Sequence, residues 1–393
     1  MRTKTVDEIQ AIALWGTSAD NGSTGRVNTD NSRINWQQII GAIGNQLQQV
    51  DEHEQARLRH RLGYIALLTG DVRNKAMEAF TMVHDSAIAL KYKQLEAMAN
   101  NGLSATYDLL GQRHQSLRYA QEAARLANEI GNQRLLALAL NYEAQFYKEN
   151  GQNKRANTLF QMIEEIGQSL NDEELIMAGH IGLGRTTRMT DAETAIAHYQ
   201  KAIEIATARN DEPSLAICYN NLSDWKIYAG QYEESIALRL ESLRLSEKIG
   251  SREGIARAQI GMAKAYTLLG NASKARELLN KGLPMALRVG DVEGDLHASL
   301  NLAYLYVKDG DIPRACELYR QVLERSLAAP DHACALFAQK ALELLADDQI
   351  PTPGILPDGD ELTIDELESI VGGVAGYTFT YPTGDRAWGG FGG

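Results

Sequence analysis

The sequence predicts an all-α fold: a superhelical solenoid of about seven stacked helix pairs, followed by a disordered C-terminal tail. Three observations predict it. A pattern recurs with a period of 40 residues through most of the 393-residue chain. Each period holds two stretches of helical apolar spacing separated by a glycine turn. Proline is scarce, eight in all, and five of the eight lie from residue 330 onward, so the preceding region is free to be helical.

Composition narrows the function. Apolar content of 44% and charged content of 23% are those of a globular chain. A net charge of −12 with no basic cluster argues against nucleic acid as a partner, because such binding is driven by phosphate neutralisation. No window approaches the ~20 apolar residues of a transmembrane helix, so no membrane insertion is expected. The opening "MRTKTVDEIQAIALWG" lacks the long apolar run and cleavage site of a signal peptide, and the array is expected in the cytoplasm. Cys218, Cys316 and Cys334 lack metal-ligand spacing and fall inside apolar helical patterns, the pattern of free thiols in a reducing compartment.

Residues 1–33 read as a partly disordered N-terminal arm: a short amphipathic helix from Thr5 to Leu14, then a polar Gly/Asn-rich stretch expected to be a loop or disordered. Residues 34–54 read as a capping helix. The repeat array follows, over 55–348. In "GMAKAYTLLGNASKARELL" its marks are Ala263, Tyr266, Gly270 and Ala275; in "NLAYLYVKDGDIPRACELY" they are Ala303, Tyr306, Gly310 and Ala315. The small residue after each turn forms the series Ala76, Ser116, Ala156, Ala195, Ser235, Ala275 and Ala315, with steps of 40, 40, 39, 40, 40 and 40. Gly70, Gly111, Gly151, Gly230, Gly270 and Gly310 are expected in the turns between paired helices.

These marks resemble the tetratricopeptide repeat. The usual period there is about 34, and 40 fits its longer-helix varieties. The resemblance implies a right-handed superhelix with a concave groove, in which neighbouring units bury faces that no unit can bury alone. It also implies that proteins or peptides bind in that groove. Asn101, Asn141, Asn221 and Asn301, at spacings of 40, 80 and 80, are the candidate groove residues, because an amide offers both donor and acceptor to a bound backbone.

No chemistry competes with this reading. His53 and His60 are seven residues apart, and His84, His114, His180, His198, His297 and His332 stand alone, so no metal site is expected. "GLGRTT" lacks the third glycine and the preceding strand of a dinucleotide loop. No catalytic residue and no cofactor are expected.

After the array, 349–361 is a proline-broken linker. Residues 362–373, "LTIDELESIVGG", form a short helix pattern with a Thr363–Glu366 capping box, an apolar stripe and a glycine stop. The following 374–393 segment holds five aromatics in twenty residues and six glycines, composition that no solenoid cap needs. The stretch resembles the double-glycine leader of bacteriocins and other ribosomally synthesised, post-translationally modified peptides. Leu362, Leu367 and Ile370 take that family's apolar positions, Thr363 and Glu366 its hydroxyl and acid positions, and Gly372 and Gly373 its glycine pair. The resemblance implies a peptidase–exporter that cuts before Val374 and a secreted core peptide. It also implies a peptide-modifying enzyme, with Tyr377, Tyr381, Trp388 and Phe391 as candidate sites of modification. The sequence therefore reads as a repeat scaffold fused to a releasable peptide. The alternative is a non-enzymatic peptide-binding regulator or adaptor whose tail caps or occupies its own groove.

If the leader is used, Gly373→Val blocks release of the Val374 product, because a β-branched side chain does not enter a cleft shaped for glycine. Leu367→Asp slows release by placing a charge on a buried docking stripe. Mass spectrometry of host medium and cells measures both. Recovery of intact chain alone from the wild type ends the precursor reading.

Overall fold

Glycine turns cut the chain into helices where the repeat places them. The structure, a computed structural model, describes residues 50–69, 75–187, 192–289 and 291–328, with isolated positions at 43, 47, 48, 334, 338, 339, 341, 342 and 345. The expected arm, most of the capping helix, Gly70, the linker, the leader and the aromatic tail lie outside the described residues. Among the described residues fourteen helices are defined. They are α1 (Glu52–Thr69), α2 (Met77–Ala89), α3 (Lys93–Leu109), α4 (Arg113–Glu129), α5 (Gln133–Glu149), α6 (Asn153–Leu170) and α7 (Glu173–Thr186). Then come α8 (Ala192–Ala208), α9 (Glu212–Tyr228), α10 (Tyr232–Ile249), α11 (Arg252–Leu268), α12 (Ala272–Val289), α13 (Val292–Lys308) and α14 (Ile312–Ala328). They form seven pairs, and no strand occurs among the described residues. None of the described helices is long and apolar enough to cross a membrane.

Two kinds of turn alternate. Within pairs, Gly111, Gly151, Gly230, Gly270 and Gly310 take φ between 69° and 78°, the left-handed conformation that glycine adopts without a Cβ clash. At Gly111, its own N–H donates to the Asp108 carbonyl at 2.9 Å and the Gln112 N–H donates to the Tyr107 carbonyl at 2.9 Å, closing the helix end. Between pairs, Lys91, Gly131, Asn171, Asn210 and Gly250 do the same work at φ of 51–74°. After the last four of these the next residue caps the following helix, and Asp291 caps α13 in the same way: the side chains of Asn132, Asp172, Asp211, Ser251 and Asp291 accept from the backbone N–H of Leu135, Leu175, Ser214, Gly254 and Gly294, whereas Tyr92 after Lys91 makes no side-chain cap.

Packing rests on size alternation. The Ala/Ser series after the turns is buried at all seven positions, letting each second helix approach its partner. Where two serines meet, the Ser104 hydroxyl donates to the Ser116 carbonyl at 3.0 Å. Four residues further along the second helix sits a knob. Phe80, Phe160, Tyr199 and Tyr319 fill this position and are buried. Each meets a small residue. A Cβ added to Gly102 would lie 2.3 Å from the Phe80 ring, and one added to Gly182 would lie 2.1 Å from the Phe160 ring. Gly102 and Gly182 belong to the first helix of the next repeat, so the knobs lock repeats together as well as closing pairs. At the far end, Cys334 and Ala338 are buried with Leu296, Leu300, Tyr319 and Val322, covering the apolar face of the last pair.

These contacts separate two roles of glycine. Gly182→Ala is expected to cost about 1–3 kcal/mol through overpacking against Phe160, and Phe160→Leu in the same chain should recover part of the loss. Gly111 has nothing within 4 Å of an added Cβ. Gly111→Ala should cost about 1–2 kcal/mol through its left-handed backbone, with no recovery by Phe160→Leu. Urea unfolding of the single and double variants measures the coupling.

Candidate functional site

Which helices touch decides where a partner can sit. The first helices α1, α3 and α5 touch in succession, as do α9, α11 and α13. No pair of second helices makes comparable contact among the described residues. First helices therefore line the tighter, inner side of the stack. Their middle turns are buried on several faces: every residue from Asn100 to Thr106 on α3 is buried. Polar side chains in that layer are the functional candidates, since burying them carries a cost that apolar residues avoid.

The four predicted asparagines do not share one register. Helices α3, α5, α9, α11 and α13 each have 17 residues, so positions count directly from their first residue. Asn101 and Asn141 are ninth in α3 and α5, whereas Asn221 and Asn301 are tenth in α9 and α13. The slip comes from the shortened fourth repeat. Helix α7 has 14 residues, and α9 begins 39 residues after it, at Glu212 against Glu173. Tenth residues face the preceding repeat, because a Cβ on Gly102, Gly182 or Gly261 meets Phe80, Phe160 or Arg239 there. Asn220 is the true counterpart of Asn101 and Asn141.

Their surroundings differ accordingly. The Asn301 Oδ1 lies 2.9 Å from the Thr267 hydroxyl, which donates to it across α13 and α11. Asn221 is half-buried. Asn101 Nδ2 donates to the Leu135 carbonyl of α5 at 3.4 Å, and its Oδ1 has no partner. Its neighbour Asn100 is fully buried with neither amide atom partnered. Asn141 is buried on the adjoining helix. Three unpartnered amide atoms thus lie together on α3, next to α5. Asn100 stands outside the recurring asparagine series, so sequence spacing does not single it out.

Charges flank this group. Arg113 of α4 pairs through Nε with Glu149 of α5 at 2.8 Å, with the Glu149 side chain buried. Burial, and then the Glu149 carboxylate, pushes the Asp108 carboxyl above its ordinary range. Farther along, Arg257 bridges Glu253 at 3.0 Å and Asp291 at 3.1 Å, tying α11 to the cap of α13.

The histidines expected to stand alone do not all do so. His180 of α7 and His198 of α8 meet Nδ1 to Nδ1 at 3.1 Å, and Glu164 of α6 lies 3.6 Å from His180. The two are equidistant from the loop after α7, as Ser104 and Ser116 are about theirs, and that hairpin symmetry was the available signal. Burial, and then Lys201, pushes His180 down to about 4. Among the described residues no group of three or more His, Cys, Asp or Glu is arranged to hold a metal ion. Cys218 and Cys334 are buried and Cys316 is partly buried, and none of the three is in a disulfide. An open cleft of about 320 Å³ lies at the end of the first pair, lined by Asp51, His53, Glu54, Arg57 and Tyr92, away from every predicted residue.

Comparison with known proteins agrees with this architecture. Tetratricopeptide repeats are recognised over residues 173–238 and 216–288 by one family model and over 297–326 by a second of the same description. No curated protein matches the sequence. Solved structures resemble its fold. A Rap protein complexed with Competence and Sporulation Factor is 14% identical, with a TM-score of 0.58, covering 88% of this chain and 97% of its own. The apo form of RapI is 17% identical, with a TM-score of 0.55, covering 69% and 97%. The apo quorum sensor NprR from B. thuringiensis is 17% identical, with a TM-score of 0.51, covering 84% and 97%. At these identities the likeness is one of fold.

The buried amides make a stability prediction. Leu140 occupies in α5 the position that Asn100 occupies in α3, and it is buried there. Asn100→Leu should therefore fit and should raise stability by about 1–3 kcal/mol, by removing an unpartnered amide. Urea unfolding checks it. A loss of stability would show that Asn100 is already satisfied.

Proposed function

We propose that the array is a non-enzymatic peptide-binding scaffold whose first-helix layer holds an extended peptide segment. The observation that carries this is the group of amides at Asn100 and Asn101, buried without full partners and adjoined by Asn141. An amide pairs with a peptide backbone through donor and acceptor at once, and a layer built only for packing would place apolar residues there. The fold likeness supports the same reading, since two of the similar structures are named as complexes with Competence and Sporulation Factor and with the Phr* peptide. Asn220 takes the third place in register that Asn221 does not. The scaffold recruits proteins or peptides, and its activity is regulatory or adaptive.

A second reading rests on a separate observation, the full leader match at Leu362, Thr363, Glu366, Leu367, Ile370, Gly372 and Gly373. In that reading the array is fused to a precursor, and a peptidase–exporter releases the segment from Val374. A peptide-modifying enzyme then acts on its aromatics. The two readings are compatible in one chain: a scaffold that binds peptides and a tail that becomes one.

The test uses the full-length protein, immobilised and exposed to a random synthetic nonapeptide pool, with captured peptides sequenced by mass spectrometry. The wild type should enrich a family of peptides. Asn101→Ala with Asn141→Ala should weaken the best of them by about 1 kcal/mol per lost hydrogen bond, while Asn301→Ala should leave affinity unchanged. Failure of the wild type to enrich any peptide removes the proposal.

A further inference from the structure

One repeat carries a charge where the others carry a core knob. The residue four places after the small Ala/Ser position is Phe80, Ala120, Phe160, Tyr199, Arg239, Leu279 and Tyr319 in the seven repeats. All but Arg239 are buried apolar or aromatic side chains. The Arg239 side chain is just as enclosed, at 4% exposure. Gly261 on α11 makes the room, since a Cβ there would lie 2.1 Å from the guanidinium carbon. The arginine thus passes from α10 into the seam between the inner helices α9 and α11.

Its hydrogen bonds are incomplete in a specific way. Nη1 donates to the Asn220 side-chain oxygen and, at 3.3 Å, to the Arg257 carbonyl. Nη2 donates to one carboxylate oxygen of Asp224. Nε–H is buried and has no partner. A guanidinium offers its side-on edge, Nε–H with Nη2–H, as a fork matched to the two oxygens of a carboxylate. Asp224 uses half of that fork. Burial raises the Asp224 carboxyl, with Arg239 and Lys264 pulling against it, so two cations share this one acid. Asn220 and Asp224 are half-buried, so solvent reaches the seam at these two residues.

A leucine serves the fold at the matching position of the next repeat, so packing does not require an arginine here. We infer that Arg239 is an anion-recognition point on the inner surface of the fifth repeat, and that the bound peptide carries a carboxylate at that register. The carboxylate enters past Asn220 and Asp224, takes Nε–H and Nη2–H together, and displaces Asp224 towards Lys264. It is an Asp or Glu side chain or the peptide's own C-terminal carboxylate. The assignment rests on the peptide-binding reading above and adds the chemistry of the ligand.

The experiment uses full-length protein and two random nonapeptide pools, one with free C-terminal acids and one with C-terminal amides. Enrichment of Asp or Glu at one position in both pools identifies a side chain as the source. Enrichment from the free-acid pool alone identifies the terminus. Either supports the assignment, provided that Arg239→Leu abolishes the preference while neutral peptides are still captured. Because that variant leaves Asp224 unpaired, Arg239→Lys is measured beside it. It keeps the charge but loses the fork, and should weaken the best acidic peptide at least ten-fold. Capture by the wild type with no acidic or free-acid preference overturns the assignment and leaves the peptide-binding reading standing. So does a preference that survives both substitutions. If the wild type captures nothing, both fall.

Discussion

Everything in this array depends on a large side chain of one repeat seating against a small one of the next. Phe80 meets Gly102, Phe160 meets Gly182 and Arg239 meets Gly261 across successive repeats. Where the knob is only Ala120, the facing tenth residue is Tyr142, which is buried in its turn. At these four interfaces a large side chain is thus present on one half or the other, as close packing demands. Burying a phenylalanine contributes about 1.5–3 kcal/mol, and each knob also excludes water from the seam that holds neighbouring first helices together. A repeat removed from its neighbours would expose these knobs, so the fold is a property of the stack and not of its units.

That seam explains why the polar residues matter. First helices sit between second helices on one side and other first helices along the stack, so little of their surface is solvated. A polar residue there needs a partner or a reason. The Thr267 hydroxyl donates to Asn301 Oδ1 across α11 and α13, leaving only the Asn301 Nδ2 without a partner, and Arg257 is held by two buried carboxylates. Those contacts are structural. Asn100, Asn101 and the Nε of Arg239 are not satisfied in the same way. Unpartnered buried groups cost about 1–3 kcal/mol each, and the repeat already contains the alternatives, Leu140 and Leu279, at matching positions. The sites where the stack accepts such a cost are where an external partner has the most to offer.

Much of this was legible in the sequence, for physical reasons. Helix pairs, turn glycines and the small-residue series recur because each repeat solves the same packing problem, so seven copies reinforce one signal. The turns at Gly111, Gly151, Gly230, Gly270 and Gly310 lie where the spacing put them. The groove register was harder. Counting 40 residues through the chain carries Asn141 to Ile181 correctly and then fails, because the loop after α7 is one residue short. On a helix one residue is about 100° of rotation, enough to turn Asn221 from the inner face towards the preceding repeat. The meeting of His180 with His198 was hidden for a related reason: proximity across a hairpin depends on where the turn is centred, not on separation along the chain. Arg239 was visible in principle. Aligning the knob series shows one charge among aromatic and aliphatic residues, but only the absent Cβ of Gly261 shows that the charge is admitted to the seam.

The arrangement divides the inner surface into two chemically different parts. Uncharged amides gather on α3 and α5, and an arginine with its carboxylate sits between α9 and α11. The shortened fourth repeat stands between them. Because contacts in such a stack run mainly between nearest neighbours, the two groups have no direct route of communication, and each can vary without disturbing the other. A single extended chain laid along the inner surface would touch both. Amides on one stretch would hold its backbone irrespective of sequence, and the guanidinium on the other would read one charge. Affinity and selectivity would then come from different repeats. A repeat scaffold allows this separation because identical packing positions can be released, one at a time, from packing duty.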